Sequence, residues 1–188
     1  MQRGFKSYAE GLAVEVRREM GIPAHGRLCA FELTKFPGIP TLGFSKLIPA
    51  AKEFGVTAGQ LKALEKEVHG LCIPFGPGRA ILYNDNNLPA RQQSDVAHEA
   101  SHVLLRHPLA DIVSGAVTQR SKELEDEAAH LGGTLLLPLP AALHVLAQGM
   151  SLGAAAEEYG ISTEMVTYRC NVSGARLIHG RRRSAARG

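Results

Sequence analysis

Two histidines four residues apart carry the clearest chemical signal in the sequence. His98-Glu99-Ala100-Ser101-His102 is an HExxH motif. On a helix, residues i and i+4 lie on one face about 6 Å apart, so both imidazoles can bind one metal ion. Zinc suits two imidazole nitrogens, a carboxylate oxygen and an open position for water. Glu99 can take a proton from that water and pass it to a leaving amine. The motif therefore predicts Zn2+ held by His98 and His102, with Glu99 as the catalytic residue.

A third protein ligand is expected, because catalytic zinc sites usually have three. The acidic segment downstream of the motif offers four candidates, namely Glu123, Glu125, Glu127 and His130. Each of them could instead be a solvated residue of a helix's first turn, where the helix dipole favours acidic side chains. Glu125 flanks the apolar positions Leu124 and Ala128 and can face the core boundary, whereas Glu127 and His130 form an i, i+3 pair. The residues alone leave Glu125 and the Glu127/His130 pair as alternatives.

An HExxH motif of this kind is typical of metallopeptidases. Hydrolysis of a peptide bond also needs a donor that stabilises the tetrahedral oxyanion. Candidates near the motif are Tyr83, Arg91, Arg106 and His107, and the sequence does not rank them. His107 follows the motif helix. We interpret it first as a cap of the last carbonyls of that helix, and second as a residue of the cleft.

The composition is that of a globular protein with one core. The chain has 188 residues, of which 45% are hydrophobic and 21% charged, and no run approaches the roughly 18 apolar residues of a membrane span. Three distant cysteines, Cys29, Cys72 and Cys170, exclude a disulfide framework and a cysteine zinc site, and they favour a reducing, cytoplasmic setting. The net charge of +3 is mild, so direct nucleic-acid binding is not expected.

Helix and turn signals place the motif beside a small sheet. Short strands are predicted over residues 39–44, 71–75 and 80–84, the last two around a Gly-Pro-Gly turn. The motif lies in a helix predicted over residues 89–106, and a further helix is predicted from Ser121 until the proline at position 138.

Helices are also predicted on both sides of this core. A capping box, Ser7 and Glu10, opens an N-terminal helix, and a second box opens a helix over residues 57–70. Residues 152–170 resemble a helix-turn-helix. Arg169 is the only basic residue on its second helix, so we favour a packing role over base reading.

Two blocks of the chain resemble the ImmA/IrrE family of metallopeptidases. Residues 91–107, RQQSDVAHEASHVLLRH, are similar to the family block R-x-R-F-[ST]-x-A-H-E-x-G-H-x-L-L-H. Residues 125–138, EDEAAHLGGTLLLP, are similar to E-x-[EQ]-A-[ND]-x-F-A-x-x-L-L-x-P. The resemblance implies that Glu125 is the third ligand and that Glu127 is the interchangeable Glu/Gln position. It also implies a protein substrate, because relatives cleave helix-turn-helix transcriptional repressors that control stress-response or mobile-element genes.

The resemblance extends over most of residues 7–175, with departures inside the blocks. Ser101 replaces the usual glycine between the histidines, and Ala129 stands where Asn or Asp is common. Leu131 replaces a phenylalanine. Gly132 and Gly133 replace alanine or larger residues, at a cost in helix propensity of about 1 kcal/mol each.

The sequence thus predicts an α+β, mainly helical protein with a zincin-like core, in which the HExxH helix packs on a small sheet. We expect an N-terminal helical part (1–70), the core (71–140), a C-terminal helical part (141–175) and a disordered basic tail (176–188), with residues 7–175 forming one compact unit. The predicted function is zinc-dependent endopeptidase, with a helix-turn-helix repressor as partner. The alternative is a non-catalytic, metal-containing regulatory or DNA-binding protein, which would have no use for a base at Glu99.

Overall fold

The computed structural model describes residues 1–51, 69–108 and 121–186. Within these ranges the helices are α1 Phe5–Glu19, α2 Ala30–Lys35, α3 Phe44–Ala51, α4 Pro89–Leu104, α5 Lys122–Leu136, α6 Leu139–Ala147, α7 Leu152–Tyr159, α8 Thr163–Val172 and α9 Ala175–Ala185. The strands are β1 Thr41–Gly43, β2 Gly70–Phe75 and β3 Gly78–Tyr83. The prediction of a mainly helical α+β fold is confirmed. The helix predicted from position 57 lies outside the described residues.

One small mixed sheet supports the motif helix. Its strand order is β1-β3-β2, with β1 parallel and β2 antiparallel to the central strand β3. The turn between β2 and β3 begins at Gly76, whose φ of +54° is a conformation that glycine adopts without steric cost. The sheet therefore leaves β2 at one edge, and α4 packs against both β2 and β3.

Helix α4 lies in the middle of the molecule, between the sheet and α5. Its residues Val96 and Ala97 belong to one buried cluster, and Ala100 belongs to a second cluster that includes Leu131 and Leu135 of α5. Helix α1 also packs on α5. Because α4 is buried on two sides, its residues have well-defined positions relative to both the sheet and α5.

Two buried arginines, one on α1 and one on α8, form hydrogen bonds with backbone carbonyl groups at the C-terminal end of α5. Arg17 of α1 donates from Nη2 to the carbonyl oxygen of Leu135 at 2.7 Å, and burial lowers its pKa to about 10. Arg169 of α8 donates from Nε to the carbonyl oxygen of Leu137 at 2.9 Å and pairs with Glu10 at 2.5 Å. These bonds satisfy C-terminal carbonyl groups that have no partner within the helix.

The capping box predicted at Ser7 and Glu10 is wrong. Helix α1 begins three residues earlier, because its N-cap is Gly4, not Ser7, and its first residue is Phe5. Glu10 instead accepts a hydrogen bond from the backbone N–H of Leu139 at 2.7 Å and pairs with Arg169. A buried arginine and a helix N-terminus are stronger partners for a carboxylate than an exposed first turn.

The helix-turn-helix-like segment forms the two predicted helices, α7 and α8. Their N-caps, Ser151 and Ser162, each accept a hydrogen bond from a backbone N–H in the first turn. Arg169 is fully buried. The only basic side chain of α8 therefore packs inside the protein, as the sequence favoured, and is not presented on its surface.

The end of the chain differs from the prediction of a disordered tail over residues 176–188. Helix α9 covers Ala175–Ala185, and residues 187–188 lie outside the described part. Ala175 is buried in the cluster formed with α6 and α8, and Arg176 donates to Oδ1 of Asn171 at 2.7 Å. Alanine and arginine are strong helix formers, so this anchored start extends as a helix despite the positive charge.

Among the described residues, no single helix has the length and hydrophobicity that a membrane span needs. Helices α5 and α6 reach that length and composition only as a pair, with a bend of 45° between them.

Candidate metal centre

Three donor atoms lie close together where α4 meets the start of α5. His98 Nε2 is 3.1 Å from His102 Nε2 and 3.1 Å from Oε2 of Glu125. His102 Nε2 is 3.4 Å from Oε1 of Glu125. Two ligands on a tetrahedral zinc, each about 2.0–2.1 Å from the metal, are about 3.3 Å apart. The two imidazoles and the carboxylate are therefore a donor set that suits zinc, and the contacts between the three residues are close to the spacing of zinc ligands.

The exposure of the three donors differs, so the cluster has an open side. The side chain of His102 is fully buried, whereas His98 is 27% and Glu125 is 40% exposed. Catalytic zinc sites keep one position open for water or substrate, unlike structural sites. The exposed side at His98 and Glu125 can provide that position.

The distance between α4 and α5 depends on Gly132. A Cβ atom at this position would lie 3.1 Å from the backbone nitrogen of His98 and 3.2 Å from the carbonyl carbon of Ala97. The sequence identified Gly132 only as a departure that lowers helix propensity. In the structure, its missing side chain lets the ligand-bearing helices approach each other backbone to backbone.

Glu99 lies between the motif helix and the edge strand. It is 5% exposed, and a Cβ atom on Gly70, the first residue of β2, would be 3.1 Å from its Cγ. One turn before it on α4, burial raises the pKa of Asp95, and Arg91 partly opposes this rise. The arrangement places the candidate base beside the strand that a peptide substrate could follow.

The rival ligand pair Glu127/His130 is not in the donor cluster. Glu127 Oε2 lies 3.7 Å from His107 Nε2, on another side of the site. His130 is buried edge-on against Phe5, and burial, together with the charges of Arg169 and Lys6, lowers its pKa to about 4. Glu123 is 79% exposed. Of the four sequence candidates, the structure brings Glu125 to the histidines.

His107 occupies a position that its interpretation as a helix cap missed. Its backbone N–H does bond to the carbonyl oxygen of His102 at 2.9 Å. Its ring, however, is buried behind His102, with Nδ1 3.0 Å from Nδ1 of that residue. The spacing of the two histidines in the sequence gave no sign of this contact, because the chain leaves its helical path between them.

The other oxyanion candidates have different surroundings. Arg91 forms an ion pair with Asp95 at 2.8 Å, and the ring of Tyr83 packs edge-on against Phe31, 5.0 Å away. Burial raises the pKa of Tyr83. Arg106 is exposed. No contact found among the described residues joins Tyr83, Arg91 or Arg106 to the donor cluster.

An HExxH helix packed against a glutamate-bearing helix is an arrangement of metal-dependent peptidases. The chain matches the family model Peptidase_M78, described as the IrrE N-terminal-like domain, over residues 51–171. The match covers more than half of the chain, so the protein belongs to this ImmA/IrrE family of metallopeptidases, and the resemblance inferred from the sequence is confirmed. Family membership supports protease activity. No curated protein matches the chain significantly.

Proposed function

We propose that the protein is a zinc-dependent endopeptidase. His98, His102 and Glu125 hold the metal, and Glu99 acts as general base and then as general acid. The observation that carries this proposal is the cluster of His98, His102 and the Glu125 carboxylate, with contacts of 3.1–3.4 Å between the residues, in a member of a metallopeptidase family. The three cysteines form no disulfide bond among the described residues, which supports a reducing, cytoplasmic setting.

The chemistry divides between the metal and the chain. A bound zinc ion would supply Lewis acidity, which brings the pKa of water to about 7 and polarises a carbonyl group. Glu99 accepts the proton of the attacking water and delivers it to the leaving amine.

The substrate would bind as an extended strand along β2. This strand is at the edge of the described sheet, and Pro74 within it has no N–H to offer to a neighbouring strand, as is usual at edges. Peptides can add to such an edge through their backbone. Since β2 starts at Gly70, against Glu99, a peptide along this edge reaches the candidate base. From the family resemblance, we infer that the substrate is a helix-turn-helix repressor.

The deciding experiment compares wild type with Glu99→Gln. Both proteins should bind about one equivalent of zinc, because Glu99 is not a ligand in the proposal. Only the wild type should cleave a helix-turn-helix repressor encoded beside this gene. General-base assistance is worth about 10²–10⁴-fold, and the exposed Glu123→Gln is the matched control, expected to cleave normally.

Two results would contradict the proposal. The first is wild-type protein that takes up no zinc after reconstitution. The second is a repressor that is controlled equally well by wild type and Glu99→Gln, which would favour the alternative of a regulatory protein that acts by binding.

A further inference from the structure

A histidine and a carboxylate stand behind His102, on the side away from the donor cluster. Nδ1 of His102 is 3.0 Å from Nδ1 of His107. Nε2 of His107 is in turn 3.7 Å from Oε2 of Glu127. All three residues are buried. We propose that His107 and Glu127 are positioning residues, which hold His102 in the one tautomer and ring orientation that can bind the metal. This inference rests on the proposed metal site.

The tautomers of the two rings follow from the proposed ligand atom. To bind a metal through Nε2, neutral His102 must carry its proton on Nδ1. That proton points to Nδ1 of His107, which must then be the acceptor and keep its own proton on Nε2. The proton on Nε2 faces the carboxylate of Glu127. Each donor therefore faces an acceptor, and the series ends on a group that only accepts when ionised.

The carboxylate is itself held in place. Oε1 of Glu127 accepts a hydrogen bond from the backbone N–H of Gln2 at 3.2 Å, so its other oxygen is left to face His107. Metal-binding histidines generally donate their second N–H to a carboxylate, a carbonyl or water, which fixes the ring. Here an imidazole is inserted between the ligand and the carboxylate.

The backbone after α4 is shaped to bring His107 back to the ligand. Helix α4 ends in a Schellman motif, in which Arg106 N–H bonds to Val103 O at 3.0 Å and His107 N–H bonds to His102 O at 2.9 Å. The left-handed position of this motif usually needs glycine, yet it is occupied by Arg106 at φ +56°, the only non-glycine residue with positive φ in the described ranges. The guanidinium of Arg79 also donates to the carbonyl of His107 at 2.7 Å. Such a conformation persists where its surroundings determine it.

The test measures zinc affinity by competition with a chromophoric chelator. His107→Leu keeps the approximate size but removes the acceptor, and should weaken zinc binding by about 10- to 100-fold. His107→Asn keeps an acceptor near the δ position and should recover most of the affinity. Glu127→Leu, which removes the acceptor, should weaken binding by about tenfold, the lower end of that range, whereas Glu127→Gln keeps an acceptor oxygen and should bind nearly as the wild type does. The control Glu123→Gln, on the same helix but exposed, should bind as the wild type does. Denaturant unfolding of each metal-free variant shows separately whether the fold is kept.

The outcomes separate this inference from the proposed function. If the wild type binds zinc and folded His107→Leu binds equally well, the positioning role is wrong while the metal site stands. Equal losses in His107→Leu and His107→Asn would also overturn it, because a packing role does not distinguish an acceptor. If His107→Leu does not fold, Glu127→Leu is the deciding variant, and wild-type zinc affinity in that variant overturns the inference. Wild-type protein without zinc affinity would overturn both.

Discussion

Replacing Gly132 by alanine tests how α5 is held at its distance from α4. The added Cβ atom would meet three backbone atoms, the nitrogen and Cα of His98 and the carbonyl carbon of Ala97, at 3.1, 3.2 and 3.2 Å. Backbone atoms in the middle of a packed helix cannot rotate away. To restore ordinary van der Waals contact, the two helices must separate by about 0.3 Å, which disturbs an interior packed as densely as an organic crystal.

Two opposing free energies set the expected change in stability. Alanine is favoured over glycine in a helix interior by about 1 kcal/mol. Forcing an extra carbon into a packed core costs about 1–3 kcal/mol. We therefore expect Gly132→Ala to lower the free energy of unfolding by up to about 2 kcal/mol. The control is Gly11→Ala in α1, where a Cβ atom meets nothing within 4 Å, so the gain of about 1 kcal/mol remains.

The assay is denaturant unfolding of the metal-free variants, followed by zinc competition. The two substitutions should change stability in opposite directions. Only Gly132→Ala should also weaken zinc binding, since it moves Glu125 away from the two histidines. If Gly132→Ala stabilises the protein as much as Gly11→Ala does, the close approach of the two helices does not constrain the site, and our account of the spacing is refuted.

Two further predictions concern individual side chains. Glu125→Gln should weaken zinc binding strongly in the competition assay, whereas Glu123→Gln should not. A larger loss of zinc affinity in Glu123→Gln than in Glu125→Gln would contradict the assignment of Glu125 as the third ligand. The pKa of His130 is about 4 in the folded protein and about 6.5 in an unfolded chain, so the unfolded state binds the proton more readily. Stability should therefore be complete above pH 6.5 and fall by up to about 3 kcal/mol as the pH drops to 4. In metal-free protein, His130→Leu should lessen this fall in the free energy of unfolding. An unchanged pH dependence in that variant would contradict the assignment of the fall to His130.

The parts of the site that the sequence predicted are those with local signals. The histidines of α4 are brought together by helical periodicity alone, and the short strands follow from apolar runs around a Gly-Pro-Gly turn. The residues alone could not choose between Glu125 and the Glu127/His130 pair, since the choice depends on how α5 lies against α4. Resemblance to the family supplied that information.

The remaining features depend on contacts between distant segments. The capping box at Ser7 and Glu10 matches a local pattern, but Glu10 has a buried arginine as a competing partner. The ring contact of His107 depends on the left-handed backbone conformation of Arg106. An arginine rarely adopts this conformation, so the sequence does not predict it. The tail was predicted as disordered from its charge, and helix α9 follows from the anchoring of Ala175, which only the tertiary structure defines.

The ion pair between Glu10 and Arg169 also has a consequence for the order in which the molecule is built. Its two residues are 159 positions apart, and both contact the junction between α5 and α6, at Leu137 and Leu139. During synthesis the N-terminal residues leave the ribosome first. Contacts between residues far apart in the sequence form late in folding. All three proposed metal ligands therefore leave the ribosome before Arg169 can secure the end of α5. The proposed peptidase site can therefore be completed only after Arg169 has been synthesised, so a chain that stops before this residue lacks the contacts that hold the end of α5.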